Sequence, residues 1–121
     1  MSQKAIEMNS SKFAAKKGGT RTILPLKGAV THQNCSELQA AFDDCIQNNK
    51  IEVILDCQAL TFIDSAALEL LICMHENLKN LGGALKLITL NNVCRDILIA
   101  TRLINILYIY KDIHGAIKKW P

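Results

Sequence analysis

Few aromatic residues, no excess of either charge and no long apolar run mark this chain, and each lack removes a class of function. Aromatics are 5% of the 121 residues, so there is little to stack nucleic-acid bases upon. The formal net charge is only +3. Its cations (among them Lys16, Lys17, Arg21, Lys27, Lys86, Arg95, Arg102 and Lys118) are scattered and form no basic stripe. Apolar runs stop well before the ~18 residues that span a bilayer. Met1-Ser2-Gln3-Lys4 opens on polar residues, without the apolar block of a secretion signal. Neither an internal repeat nor a low-complexity tract occurs.

Cysteine pairing is equally unsupported. Cys35, Cys45, Cys57, Cys73 and Cys94 are odd in number, show no CxxC spacing and fall mostly in apolar periodic stretches. Five free thiols in a reducing, cytoplasmic setting are expected. His32, His75 and His114 sit at no recognised ligand spacing, so no metal site is expected. No cofactor motif appears either. Enzymatic chemistry lacks its ingredients too, with no Gly-x-Ser-x-Gly elbow and no Gly-rich phosphate loop.

What is present is an apolar half of the composition, enough for the core of one domain spanning residues 1–121. Residues 1–20 read as a first strand, Ile6 to Ala15, and a Lys16-Lys17-Gly18-Gly19 turn. Arg21 to Lys27 is extended, with Pro25 pointing to a sheet edge, and the two segments suggest an N-terminal hairpin. Asn34 is a candidate N-cap for a helix whose Leu38, Ala41, Phe42, Cys45 and Ile46 share one face. Ile51 to Asp56 is a buried strand, followed by a loop from Cys57 to Thr61. A long helix runs from Ala66 to about Leu81, with Leu68, Leu71, Ile72, His75 and Leu78 along one face and Leu70, Cys73 and Met74 widening it. Gly82-Gly83 stops it.

Ala84 to Thr89 is the next strand. Asn91 or Asn92 caps a helix that buries Val93, Ile97 and Leu98. A last strand spans Leu103 to Tyr110, Asp112 caps a final helix, and Trp120 closes the chain. Such alternation predicts an α/β domain. It has a mixed sheet of about five strands, with interleaved helices packed mainly on one face.

The local feature that stands out is Leu55-Asp56 followed by Leu60-Thr61-Phe62-Ile63-Asp64-Ser65-Ala66-Ala67-Leu68. Two polar residues meet the first turn of an apolar helix, so one of Asp64 or Ser65 is an N-cap. A hydroxyl there is also exposed, beside backbone N–H groups able to receive a phosphate.

These residues resemble the STAS domains of bacterial anti-sigma-factor antagonists. That family carries a loop of the type Leu-x-Phe-Ile-Asp-Ser-x-Gly-Leu after a strand ending in Asp. Leu60, Phe62, Ile63, Asp64, Ser65 and Leu68 match it, and the likeness extends from about Arg21 to Lys119 through Gly28, Gly82-Gly83 and the helix near Asn92. The resemblance implies a non-enzymatic switch, in which Ser65 is phosphorylated by an anti-sigma factor with serine-kinase activity and restored by a serine phosphatase. The implied partner surface comprises Asp64, Ser65, Ala66, Thr31, His32 and Glu69.

Departures from the pattern lie at Ala66 and Ala67, which replace a hydroxyl residue and a glycine, and at Arg102-Leu103, where Gly-Leu is usual. Three alternatives remain open at this point. They are a STAS subunit of a transport or lipid-trafficking complex, a non-switching signalling scaffold, and a Ser65 that only caps its helix.

Overall fold

A computed structural model describes residues 21–118. Its elements run β1 (Arg21–Val30), α1 (Cys35–Gln47), β2 (Glu52–Ile63), α2 (Ser65–Asn80), β3 (Ala84–Ile88), α3 (Asn92–Ala100), a 3-10 turn (Leu103–Asn105), β4 (Tyr108–Tyr110) and α4 (Ile113–Lys118). The described strands form one four-stranded sheet in the order β1-β2-β3-β4. Every pairing in it is parallel. The α/β alternation is as expected, and where a mixed sheet of about five strands was anticipated the described residues hold four, all parallel. The expected first strand, its hairpin turn and Trp120 lie outside the described residues.

Parallel neighbours in sequential order need a crossover between each pair, and crossovers of one hand put their helices on one face. Strand alternation shows that face. Leu24, Leu26, Val53, Leu55, Leu85 and Leu87 point into the main core, where they join Leu38 and Phe42 of α1, Leu71 and Leu78 of α2, and Leu98 of α3. Their alternates Ile54 and Ile88 form a small second cluster with Ala116, against which Ile23, Tyr110 and Ile113 pack. Three helices therefore cover one face, and α4 covers part of the other.

Gly82 and Gly83 end α2 for different reasons. Gly82 has φ +84°, which favours glycine. At Gly83 a Cβ would stand 2.0 Å from the Ile51 carbonyl oxygen, so the turn into β3 has no room for a side chain.

Several expectations are corrected. The segment from Cys57 to Thr61 is not a loop but the continuation of β2, which stays paired to β1 through shifts in register between Pro25 and Lys27 and between Gly28 and Ala29. Gly28, at φ +69°, supplies the backbone that the second shift needs. In α3 the buried residues are Cys94 and Leu98, whereas Val93 is exposed. The cap at Asn91 sets the helix phase and turns Val93 outward. Cys73 is exposed too, since it lies on the outer side of α2. The last strand is reduced to Tyr108–Tyr110, because Arg102 takes a left-handed φ of 67° and starts a 3-10 turn. All five cysteines are free, with Cys45, Cys57 and Cys94 buried. Burial pushes their thiols up, away from the reactive thiolate.

The second face carries an ionic group that sequence pattern does not announce. Lys86 is fully buried in β3, and its Nζ donates to Glu52 Oε2 at 2.8 Å and to the Ala116 carbonyl at 2.6 Å. The ammonium also lies 5.5 Å from the Tyr110 ring centroid. Arg21 Nε donates to the other Glu52 oxygen at 3.1 Å. Removing one partner of such a group leaves a buried charge uncompensated, whereas replacing both by apolar residues is close to neutral. Glu52→Ala is therefore expected to cost about 3–5 kcal/mol in urea unfolding, and Glu52→Leu with Lys86→Met to recover most of the loss.

His75, buried in α2, makes an edge-on contact with Tyr108 at 5.3 Å between ring centroids. Burial first, then Lys79, holds its imidazole below the ordinary value of 6.5, with Glu76 opposing. A lowered imidazole pKa means that the unfolded chain takes up the proton first as the pH falls. The stability that His75 contributes is thus complete above 6.5 and declines below it. His75→Gln should flatten this part of the stability profile, measured by thermal melts between about pH 5 and 8.

Candidate functional site

The carboxyl ends of β1 and β2 project beyond the rest of the sheet. β2 pairs with β3 only from Glu52 to Asp56 but with β1 as far as Ile63, so residues 57–63 and the end of β1 form a two-stranded ribbon. Its β3 side is held by α3. Asn91 caps that helix through Cys94 N at 3.0 Å and donates from Nδ2 to the Leu60 carbonyl. The loop after β1 and the start of α2 after β2 leave this ribbon side by side.

Asp64 joins the two. Its Oδ1 accepts from the Ala67 backbone N–H at 3.0 Å, which makes Asp64 the N-cap of α2. Its Oδ2 accepts from the His32 backbone N–H at 2.8 Å and lies 3.2 Å from His32 Nδ1. Its own N–H donates to the Val30 carbonyl at 3.3 Å. The Ala67 and His32 backbone donors, in that order, hold the carboxyl below its ordinary range, and the His32 ring adds to them.

The 31–34 loop is built for this approach. The Thr31 carbonyl accepts from Asn34 N at 3.0 Å and Cys35 N at 2.8 Å, and Thr31 Oγ1 accepts from Gln33 N at 3.2 Å. Asn34 stands at the N-cap position of α1 as expected, yet its side chain does not cap. It bridges the loop instead, accepting from Thr31 N at 2.8 Å and donating to the Ala29 carbonyl at 2.9 Å.

Of the six residues singled out from sequence, five cluster closely. Asp64 and the 31–32 segment are in contact, Ser65 is exposed as the first residue of α2, and Ala66 is half-buried beside it. Glu69 is exposed one turn further along the helix. Between the two candidate caps the geometry assigns the role to Asp64, which leaves the Ser65 hydroxyl outside the capping bond. His32, the nearest imidazole, is engaged with Asp64, and His114 is exposed on α4 across the sheet.

Among the described residues, no group of three or more His, Cys, Asp and Glu could hold a metal ion. No described helix is long and apolar enough to cross a membrane.

One exposed apolar residue at this end escaped sequence reasoning. Phe62 is 47% exposed at the end of the ribbon, although it stands in an apolar run. Simple alternation would put Phe62 on the same face as buried Leu60, and it is the irregular pairing with the bulged β1 that leaves Thr61 and Phe62 outside while Leu60 and Ile63 turn inward.

The STAS domain family matches residues 12–116. The chain belongs to the STAS-domain family. A Thermotoga maritima protein classed with the anti-sigma factor antagonists shares the fold at a TM-score of 0.79 and 20% identity, over 93% of this chain and 97% of that one. The phosphorylated form of SpoIIAA, a Bacillus cell fate determinant, superposes at 0.64 with 17% identity, over 85% of this STAS chain and 93% of its own. The murine anion transporter Slc26a9 matches at 0.67 and 13% identity, over 86% of this chain but only 18% of the transporter. No curated protein matches the chain in sequence.

The two polar residues at the head of α2 have separable roles. Asp64→Ala, which removes the cap and the loop anchor together, should lower the melting temperature. Asp64→Asn keeps an oxygen for Ala67 but not one for both partners, and should fall between. Ser65→Ala should stay within about 0.5 kcal/mol of the wild type, as an exposed non-capping position does. Thermal and urea unfolding of the three variants measure the order.

Proposed function

We propose that this STAS domain is an anti-sigma-factor antagonist that switches partners through phosphorylation of Ser65. The observation that carries the reading is the placement of an exposed serine hydroxyl directly after the Asp64 cap, at the free end of the β1–β2 ribbon. The hydroxyl is offered to solvent without being needed for the helix, so its modification leaves the fold intact. The fold shared with anti-sigma factor antagonists, one of them in a phosphorylated form, agrees with the reading.

In the unphosphorylated state the domain binds an anti-sigma factor with serine-kinase activity, through Asp64, Ser65, Ala66, Glu69 and the Thr31-His32 loop. The kinase adds a phosphate of roughly −1.5 to −2 charges at Ser65. Asp64, held ionised one residue away, repels it. In a closed interface such a charge is desolvated and unpaired. A loss of ~3 kcal/mol is about a hundredfold in affinity, enough to release the partner. A serine phosphatase resets the protein, which is itself no enzyme.

The likeness to a segment of an anion transporter supports a second reading, in which the same end of α2 docks on a transport or lipid-trafficking complex and Ser65 stays unmodified.

Affinity capture from lysate followed by intact mass separates the two. A serine kinase in the captured fraction, with one phosphate on the protein that Ser65→Ala abolishes, is the expected result. Binding measured by calorimetry should then fall about a hundredfold on phosphorylation. Undiminished binding by the phosphorylated protein would reject the switch.

A further inference from the structure

We infer that Phe62 is the apolar anchor of the surface that seats the serine kinase on Ser65. The inference rests on the switch reading above and adds to it the residue that supplies affinity. Phe62 presents 47% of its surface to solvent at the last turn of the ribbon, where the register places it opposite Ala29. Ala29 is exposed and small, so the ring is not shielded by the neighbouring strand.

Phe62 and Ser65 are three positions apart, which bounds their Cα distance at ~11 Å even for a fully extended chain. A specific interface buries ~800 Å² on each partner, a disc of ~16 Å radius. A patch of that size centred on Ser65 reaches the end of β2, where Phe62 stands.

The other residues of the candidate site offer little apolar surface of their own. Ser65, Ala66, Thr31 and Glu69 are small or charged, and His32 is tied to Asp64. An exposed aromatic ring amid such residues is the part that gains most by burial, as aromatic residues do at the centres of interfaces. Phe62 also bears on how the switch works. A ring buried in an apolar pocket excludes water from its surroundings, and a phosphate placed nearby is then desolvated without a counter-charge. The fit is to an apolar pocket beside the catalytic cleft of the kinase.

The test is a double-mutant cycle by calorimetry, using the purified kinase that phosphorylates Ser65, loaded with a non-hydrolysable ATP analogue. Phe62→Ala should weaken binding about 30-fold or more while leaving the melting temperature near that of the wild type, since the ring is half-exposed. Phe62→Leu should lose less. In the Phe62→Ala background, Ser65→Asp should lose several-fold less affinity than it does in the wild type. If Phe62→Ala melts early, Phe62→Thr, a strand former, replaces it. Phe62→Ala binding within threefold of wild type, while Ser65→Asp still releases the kinase, overturns the anchor and leaves the Ser65 switch standing. Full binding by both Ser65→Asp and the phosphorylated protein, or the lack of any kinase acting on Ser65, overturns both.

Discussion

One carboxylate holds the working end of this domain together. Asp64 gives one oxygen to the first turn of α2 and the other to the loop after β1, so two segments distant in sequence share a single anion. The capping half satisfies a backbone N–H that an α-helix leaves without an intrahelical partner. The other half orients the 31–34 loop. Its donors are mainly backbone N–H groups, which hold the carboxyl below its ordinary range, and the His32 ring adds to them. A second anion brought to Ser65 arrives where a negative charge is already committed. In the proposed switch, that coupling of architecture and electrostatics is what would let a local modification act on binding while the fold stays as it is.

The rest of the sheet delivers Asp64 to that position. Unequal strand lengths matter most: β3 stops at Ile88 and β4 is three residues long, whereas β2 continues to Ile63 beside β1. A ribbon left without a neighbour on one side would expose backbone groups, and the α3 cap resolves this by donating from Asn91 to Leu60. The same residue thus ends one problem at the helix start and another at the strand edge. On the opposite face, the Glu52–Lys86 pair and the Ala116 carbonyl tie α4 to the two central strands. An ion pair in that setting adds little net stability over an apolar one. Its directional bonds instead give the short α4 a defined seat.

The departures from the antagonist pattern fall into place against this geometry. Ala66 and Ala67 lie in the first turn of α2, where alanine favours helix and Ala67 contributes only its N–H to Asp64. The cap therefore does not need the usual hydroxyl and glycine. Arg102 is different. It occupies a left-handed position at the end of α3, where glycine would be relaxed, and its strain is local to the 3-10 turn, far along the chain from Ser65.

Much of this protein was legible in its residues because the relevant physics is local. Periodic Leu and Ile marked α1, α2 and the β-branched strand before Asp56; Gly82-Gly83 marked the end of α2; and the Asp64-Ser65 pair marked the helix start at which the site lies. Resemblance to the STAS pattern named the fold from the same residues. What depended on distant partners was not legible. Whether Asp64 or Ser65 caps is decided by where the Ala67 N–H points, and the second partner of Asp64, His32, lies in a loop 32 positions earlier. The run from Cys57 to Thr61 looked like a loop because its alternation is broken, yet pairing with a bulged β1 makes it strand. Lys86 reads as a surface residue, and only Glu52 and a helix carbonyl brought from across the chain make its burial tolerable. Capping residues and apolar periods act over a few residues and can be read in order. Register, burial of a charge and the meeting of two loops are set by atoms that come together only when the sheet has formed.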